Sequence, residues 1–170
     1  MGIDLYLFRH GPAESRDPLR WPEDDDRPLS PEGVKQTKRA ARGLARLDFS
    51  IAQVISSPAQ RARQTAEVVR EALGDQKPLE LWEELAPDSP SSPVLARVAR
   101  LGKRVDSAIL VGHEPMMSEL VGLALTGEAV SFVHFARAGA AGLSFARSVA
   151  PGAGELSWLL TRRQLVGPSR

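Results

Sequence analysis

Three short apolar runs stand out along the chain: Ile3 to Phe8, broken only by Asp4, then Val54 to Ser56 and Ala108 to Val111, each followed by a helix-start signal. Runs this short and apolar predict strands buried on both faces. Between them the spacing turns helical. Ser30-Pro31-Glu32 opens a helix with Val34, Thr37, Ala41, Leu44 and Leu47 on one face and Lys35, Lys38, Arg39, Arg42 and Arg46 opposite. Ser57-Pro58 supplies an N-cap and a first-turn proline, and Ala62, Thr65, Ala66, Val69, Ala72 and Leu73 continue a helix to about Leu73.

Ala86 to Pro93 is rich in proline and serine and predicts a loop, with a short helix over Val94 to Leu101. After Gly112-His113-Glu114-Pro115, the positions Met117, Leu120, Val121, Ala124 and Leu125 predict a helix that Gly127 stops. Val130 to Phe135, Gly142 to Arg147 and Glu155 to Thr161 alternate loosely and predict strands joined by glycine turns. The expected fold class is α/β, a three-layer α/β/α sandwich around a mainly parallel sheet with antiparallel edges late in the chain.

Composition narrows the function classes. A length of 170 residues, 42% hydrophobic and 25% charged, suits one compact domain over residues 1–170. Lysine plus arginine (22) nearly balances aspartate plus glutamate (21), so any positive potential must be local, and the arginine-rich helix face reads as solvated, not as a nucleic-acid patch. The absence of cysteine removes thiol catalysis and disulfides and suits a cytoplasmic protein. No leader pattern opens the chain, and no run of about 18 apolar residues predicts a membrane span.

Two of the three histidines, His10 and His113, directly follow predicted strands, and the carboxyl ends of strands in an open α/β sheet are where ligands bind. His134 falls inside a strand pattern and reads as structural. Arg9, His10 and Gly11 place a cation, an imidazole and a residue that admits close backbone approach in one turn. Arg61 lies in the first turn of its helix, where the dipole disfavours a cation by up to about 1 kcal/mol. An anion there would reverse the sign, since helix N-termini and guanidinium forks both bind phosphate; the alternative is an arginine that merely covers the helix end. Neighbouring arginines keep His10 neutral and so nucleophilic. This chemistry needs no metal or cofactor, although His113-Glu114 leaves metal ligation as an alternative.

Leu7-Phe8-Arg9-His10-Gly11 resembles the Arg-His-Gly signature of the histidine phosphatase superfamily, the phosphoglycerate mutase-like fold. Arg27-Pro28-Leu29-Ser30-Pro31-Glu32-Gly33 resembles the family's stretch leading into its first helix. Ser57 to Thr65 resembles its second-arginine motif, and Val111-Gly112-His113-Glu114-Pro115 its second histidine, all in the family's order. The resemblance implies a covalent phosphohistidine on His10 and a phosphate pocket of Arg9, His10, Arg61 and His113. Without lid insertions, the chain most resembles the short phosphohistidine phosphatases. The implied partner is a phosphorylated protein carrying phosphohistidine in a phosphorelay or carrier; the alternatives are a small sugar or nucleotide phosphate ester, or a silent phosphoprotein-binding module. Longer relatives use a carboxylic acid to protonate the leaving group, and Glu114 is the candidate here, with Glu84, or its neighbour Glu83, as the alternative.

Overall fold

In the computed structural model, which describes residues 2–47, 49–75 and 77–167, six strands form one sheet in the order β3-β2-β4-β1-β5-β6. They are β1 (Ile3–Arg9), β2 (Val54–Ser56), β3 (Glu80–Leu81), β4 (Ser107–Gly112), β5 (Ala140–Phe145) and β6 (Glu155–Leu160). The first four run parallel, and β5 and β6 add an antiparallel edge. The helices are α1 (Pro31–Leu44), α2 (Gln60–Leu73), α3 (Ser91–Leu101), α4 (Met116–Thr126) and α5 (Arg162–Val166).

Side-chain alternation along the central strands builds two cores. Ile3, Leu5 and Leu7 of β1, with Ala108 and Leu110 of β4, pack with α3 and α4 residues such as Val94, Val98, Met117 and Leu120. Tyr6 and Phe8, with Ile109 and Val111, pack with Ala40, Ala41 and Leu44 of α1, Ala62, Ala66 and Val69 of α2, and Leu165 of α5. The sheet is therefore covered on both faces, which is why its central strands read as unbroken apolar runs.

Three expected boundaries move. Ser30 caps α1 as expected, its Oγ accepting from Gly33 N at 3.0 Å. Ser57, by contrast, is not the cap of α2, which begins at Gln60 with Ala59 in the cap position; the Ser57 hydroxyl is engaged with His113 instead. Helix α3 takes in Ser91 to Pro93, because a proline in the first turn forfeits only an N–H that has no helical partner. The third correction is larger. Val130 to Phe135 is not a strand. The edge of β1 that it would need is filled by Ala140–Phe145, and the segment instead passes over Gly122 of α4 and turns Phe135 into the core.

The pairing of β1 with β4 sets the position of everything functional. Arg9 lies opposite Gly112 in this parallel pair, so the residues that follow, His10 and His113, leave the sheet side by side. Helix α1 after β1 and helix α4 after β4 pack on opposite faces. Adjacent parallel strands whose following helices diverge leave a crevice at their carboxyl ends.

Helix α5 docks on α1 at Gly43, where an added Cβ would overlap the carbonyl of Leu165. Alanine is the better helix former by up to about 1 kcal/mol, yet Gly43→Ala is expected to lower stability by about 1–3 kcal/mol through overpacking. Urea unfolding checks this, and a gain in stability would show that α5 does not pack there.

Candidate active site

The crevice is a cleft of about 630 Å³ lined by Arg9, His10, Arg61, His113 and Glu114, together with Glu14, Asp24, Arg27, Asp88 and Arg137. The four residues that the sequence assigned to a phosphate pocket thus converge on one site. The imidazoles of His10 and His113 lie with centroids 4.9 Å apart and are almost fully buried.

Local contacts fix each side chain. The His10 N–H donates to Gly112 O at 2.9 Å, and the Gly11 N–H donates to the buried Thr65 Oγ1 at 3.1 Å, tying the turn after β1 to β4 and α2. A Cβ on Gly11 would collide with Thr37 Oγ1 of α1, so only glycine allows this approach. His10 Nδ1 lies 2.7 Å from Gly11 O. A carbonyl oxygen can only accept, so Nδ1 carries the proton and Nε2 keeps its lone pair. His113 Nε2 lies 2.8 Å from Ser57 Oγ. Arg9 is anchored by Nη1 donating to Phe135 O at 2.7 Å.

Arg61 is 4% exposed at the start of α2, the unfavourable end of the dipole for a cation. Asp24 compensates: Arg61 Nη1 donates to its carbonyl at 2.8 Å, and Nη2 lies 3.2 Å from its carboxylate. The same carboxylate accepts from Arg27 Nε at 2.9 Å, the principal cause of its lowered pKa. Asp24 escaped the sequence reading because Glu23 to Asp26 looks like an ordinary solvated acidic run; its proximity to Arg27 was the available signal. Asp88 and Arg137, both lining the cleft, were missed as well. Asp88 stands at φ +61°, an uncommon conformation for a residue other than glycine.

The acid candidates separate. Glu84 does not line the cleft, since Arg97 Nη1 holds its carboxylate at 2.5 Å. Glu83 is likewise absent from the lining. Glu114 lines it, with Oε1 accepting from Ser118 N at 3.2 Å and Oε2 2.5 Å from the Ser118 hydroxyl. Metal ligation by His113 and Glu114 meets side chains already engaged with Ser57 and Ser118. His134 is exposed in the 130–137 segment.

Burial first, then the charges of Arg61, Arg9 and Arg137, lowers the His10 pKa to about 4, against the partly offsetting bond to Gly11 O. Burial first, then His10 and Arg61, lowers that of His113 to about 2. Both rings are neutral at pH 7. Three nitrogens on these residues, Arg9 Nε, Arg61 Nε and His113 Nδ1, are buried without a hydrogen-bond partner, and no other side-chain nitrogen among the described residues is. Buried polar groups are ordinarily hydrogen-bonded, and these three lie on residues that line one cleft, two of them arginines, a residue type that donates readily to tetrahedral anions. A neutral imidazole with a free Nε2 beside such donors can attack phosphorus.

A cleft of this kind at the sheet's switch point defines a phosphoryl-handling α/β protein, and comparison with known proteins gives the family. Residues 5–86 match the model of the histidine phosphatase superfamily (branch 1). The phosphohistidine phosphatase SixA of Escherichia coli strain K12 is 30% identical over 127 residues, 74% of this chain and 76% of that protein. An uncharacterized protein of Picosynechococcus is 34% identical over 142 residues, 83% of this chain and 84% of its own. The solved structure of the protein histidine phosphatase SixA complexed with tungstate superposes with a TM-score of 0.84 at 26% identity, covering 96% of this chain and 99% of that one. The chain belongs to the histidine phosphatase superfamily, has its phosphoglycerate mutase-like fold, and is a phosphatase.

The lowered histidine pKa values set a pH dependence. The unfolded chain binds protons at these two rings below about pH 6.5, whereas the folded one does not until about pH 4 at His10 and about pH 2 at His113. Stability is therefore expected to be full above pH 6.5 and to fall by a few kcal/mol as pH drops toward 4. Asp24, with its pKa below the ordinary 3.8, loses its contribution only at still lower pH. Urea unfolding at pH 7.5 and 5 should show this loss in the wild type and a flatter response in a His10→Gln/His113→Gln double variant. Equal slopes would contradict the assignment.

Proposed function

We propose that this phosphatase removes the phosphoryl group from phosphohistidine in a protein by way of a phosphohistidine on its own His10. The observation that carries the reading is the set of buried, unpartnered nitrogens on Arg9, Arg61 and His113 beside the neutral His10 ring. His10 Nε2 attacks phosphorus and the bond to the leaving group breaks. The leaving nitrogen or oxygen takes up a proton; water then attacks phosphorus, the P–Nε2 bond breaks, and orthophosphate leaves with the imidazole restored. Arg9 and Arg61 spread the developing charge. In the tautomer whose Nε2 accepts from the Ser57 hydroxyl, His113 carries its proton on Nδ1, and Nδ1–H donates to a phosphoryl oxygen. Removing one preorganised donor of this type costs about 10² to 10³ in rate.

The likeness to SixA proteins supports a protein substrate. A P–N bond breaks with less help from a general acid than an alkyl ester does. A cytoplasmic location agrees with a chain free of cysteine. The test is turnover on a histidine-phosphorylated carrier protein set against a panel of sugar and nucleotide phosphates. A large preference in kcat/KM for the carrier is expected, and a preference for any small ester would overturn the reading.

Within this mechanism Glu114 is the proton donor to the leaving group. Gln at this position keeps an acceptor for Ser118 N but cannot donate a carboxyl proton. Glu114→Gln should therefore slow an alkyl phosphate by about a hundredfold, spare para-nitrophenyl phosphate and fall in between on phosphohistidine. Equal losses on alkyl and aryl substrates would refute the role, and the same pattern in Asp88→Asn instead would move it to Asp88.

A further inference from the structure

The cleft itself is nearly balanced in charge, because Glu14, Asp24, Asp88 and Glu114 offset its five arginines, Arg9, Arg16, Arg27, Arg61 and Arg137. Beside it runs a second groove of about 440 Å³ that shares Arg9 and Arg137 and adds His134, Thr161, Arg162 and Arg163, with no carboxylate in its lining. None of Arg137, Arg162 and Arg163 makes an ion pair among the described residues. In a chain of net charge +1, this is a local, uncompensated positive surface reaching from the cleft mouth to α5.

The segment that fails to become a strand borders the same region. Ser131 Oγ lies 2.6 Å from Ser118 Oγ, whose hydroxyl also meets Glu114, and Phe135 O holds Arg9. Residues 131 to 137 therefore run along the cleft from its Glu114 side to its Arg9 side. On that run Phe132 is 56% exposed, and His134 and Arg137 are exposed.

We propose that this rim is a docking surface for a phosphoprotein whose phosphorylated residue is flanked by carboxylates, which meet Arg137, Arg162 and Arg163. The proposal rests on the phosphoprotein reading above and names the chemistry of the partner. Exposed guanidiniums give a small second anion little net attraction, since water and salt screen each contact. Spread over a protein face, the same charges steer encounter and raise the association rate. An exposed phenylalanine on the same run as Arg137 also fits a protein interface better than a small-anion site.

The experiment uses two pairs of synthetic peptides, one pair carrying phosphohistidine and one phosphoserine, each with either aspartates or asparagines around the phosphorylated residue. For phosphohistidine kcat/KM is measured, and for phosphoserine, binding to the His10→Ala protein by fluorescence anisotropy. At low salt the aspartate peptides should be favoured about tenfold or more in both measurements, and the preference should shrink at high salt. Arg162→Glu/Arg163→Glu should abolish it while leaving para-nitrophenyl phosphate hydrolysis unchanged, which also reports an intact fold. Equal treatment of aspartate and asparagine peptides, or a preference that survives the double substitution, would overturn the proposal. So would dependence on Arg162 and Arg163 seen only with a small bisphosphate such as a nucleoside 3′,5′-bisphosphate. If phosphohistidine is not cleaved while aspartate-dependent phosphoserine binding persists, the phosphohistidine reading fails and the docking surface stands.

Discussion

The register of one parallel strand pair governs this molecule. Because Arg9 faces Gly112 across β1 and β4, two histidines more than a hundred residues apart emerge in contact, and the turn that carries His10 is tied to β4. A slip of one residue would send every side chain of β1 to the opposite core. The apolar alternation that builds the two cores therefore also aligns the active site. Small side chains hold the alignment close, Gly11 against Thr37 and Gly43 against Leu165.

On that frame the electrostatics of the cleft oppose stability. Burying guanidiniums and imidazoles together costs free energy, visible in the depressed pKa of both rings. Asp24 repays part of it by clasping Arg61 and Arg27, while Arg9 Nε, Arg61 Nε and His113 Nδ1 stay buried without a partner. The resulting site holds neutral imidazoles at neutral pH. Such local frustration is common at functional sites and is stabilised by the packing around it.

Much of this was legible in the sequence. Short apolar runs gave the central strands because a doubly covered sheet leaves them no polar positions. Ser30 and Gly127 marked helix ends because capping is a local property of the backbone. Arg9, His10, Arg61 and His113 were recognisable by their places after strands and at a helix start, and they line one cleft. What failed depended on distant partners. Ser57 resembled an N-cap but serves His113 at the end of the adjacent strand, and Asp24, which the pattern does not mark, meets an arginine 37 residues on. Val130 to Phe135 had strand-like alternation, yet no free edge of β1 remained to receive it.

The central claim is that phosphorus becomes bonded to His10, and trapping that intermediate tests it most directly. The protein is mixed with a radiolabelled phosphoryl donor, quenched in alkali during turnover and digested. Label that is stable to base, labile to acid and confined to the peptide containing His10 is the predicted result, with none retained by His10→Ala. Steady turnover with no label on His10, or a His10→Ala protein that keeps more than about a thousandth of wild-type activity, would contradict it.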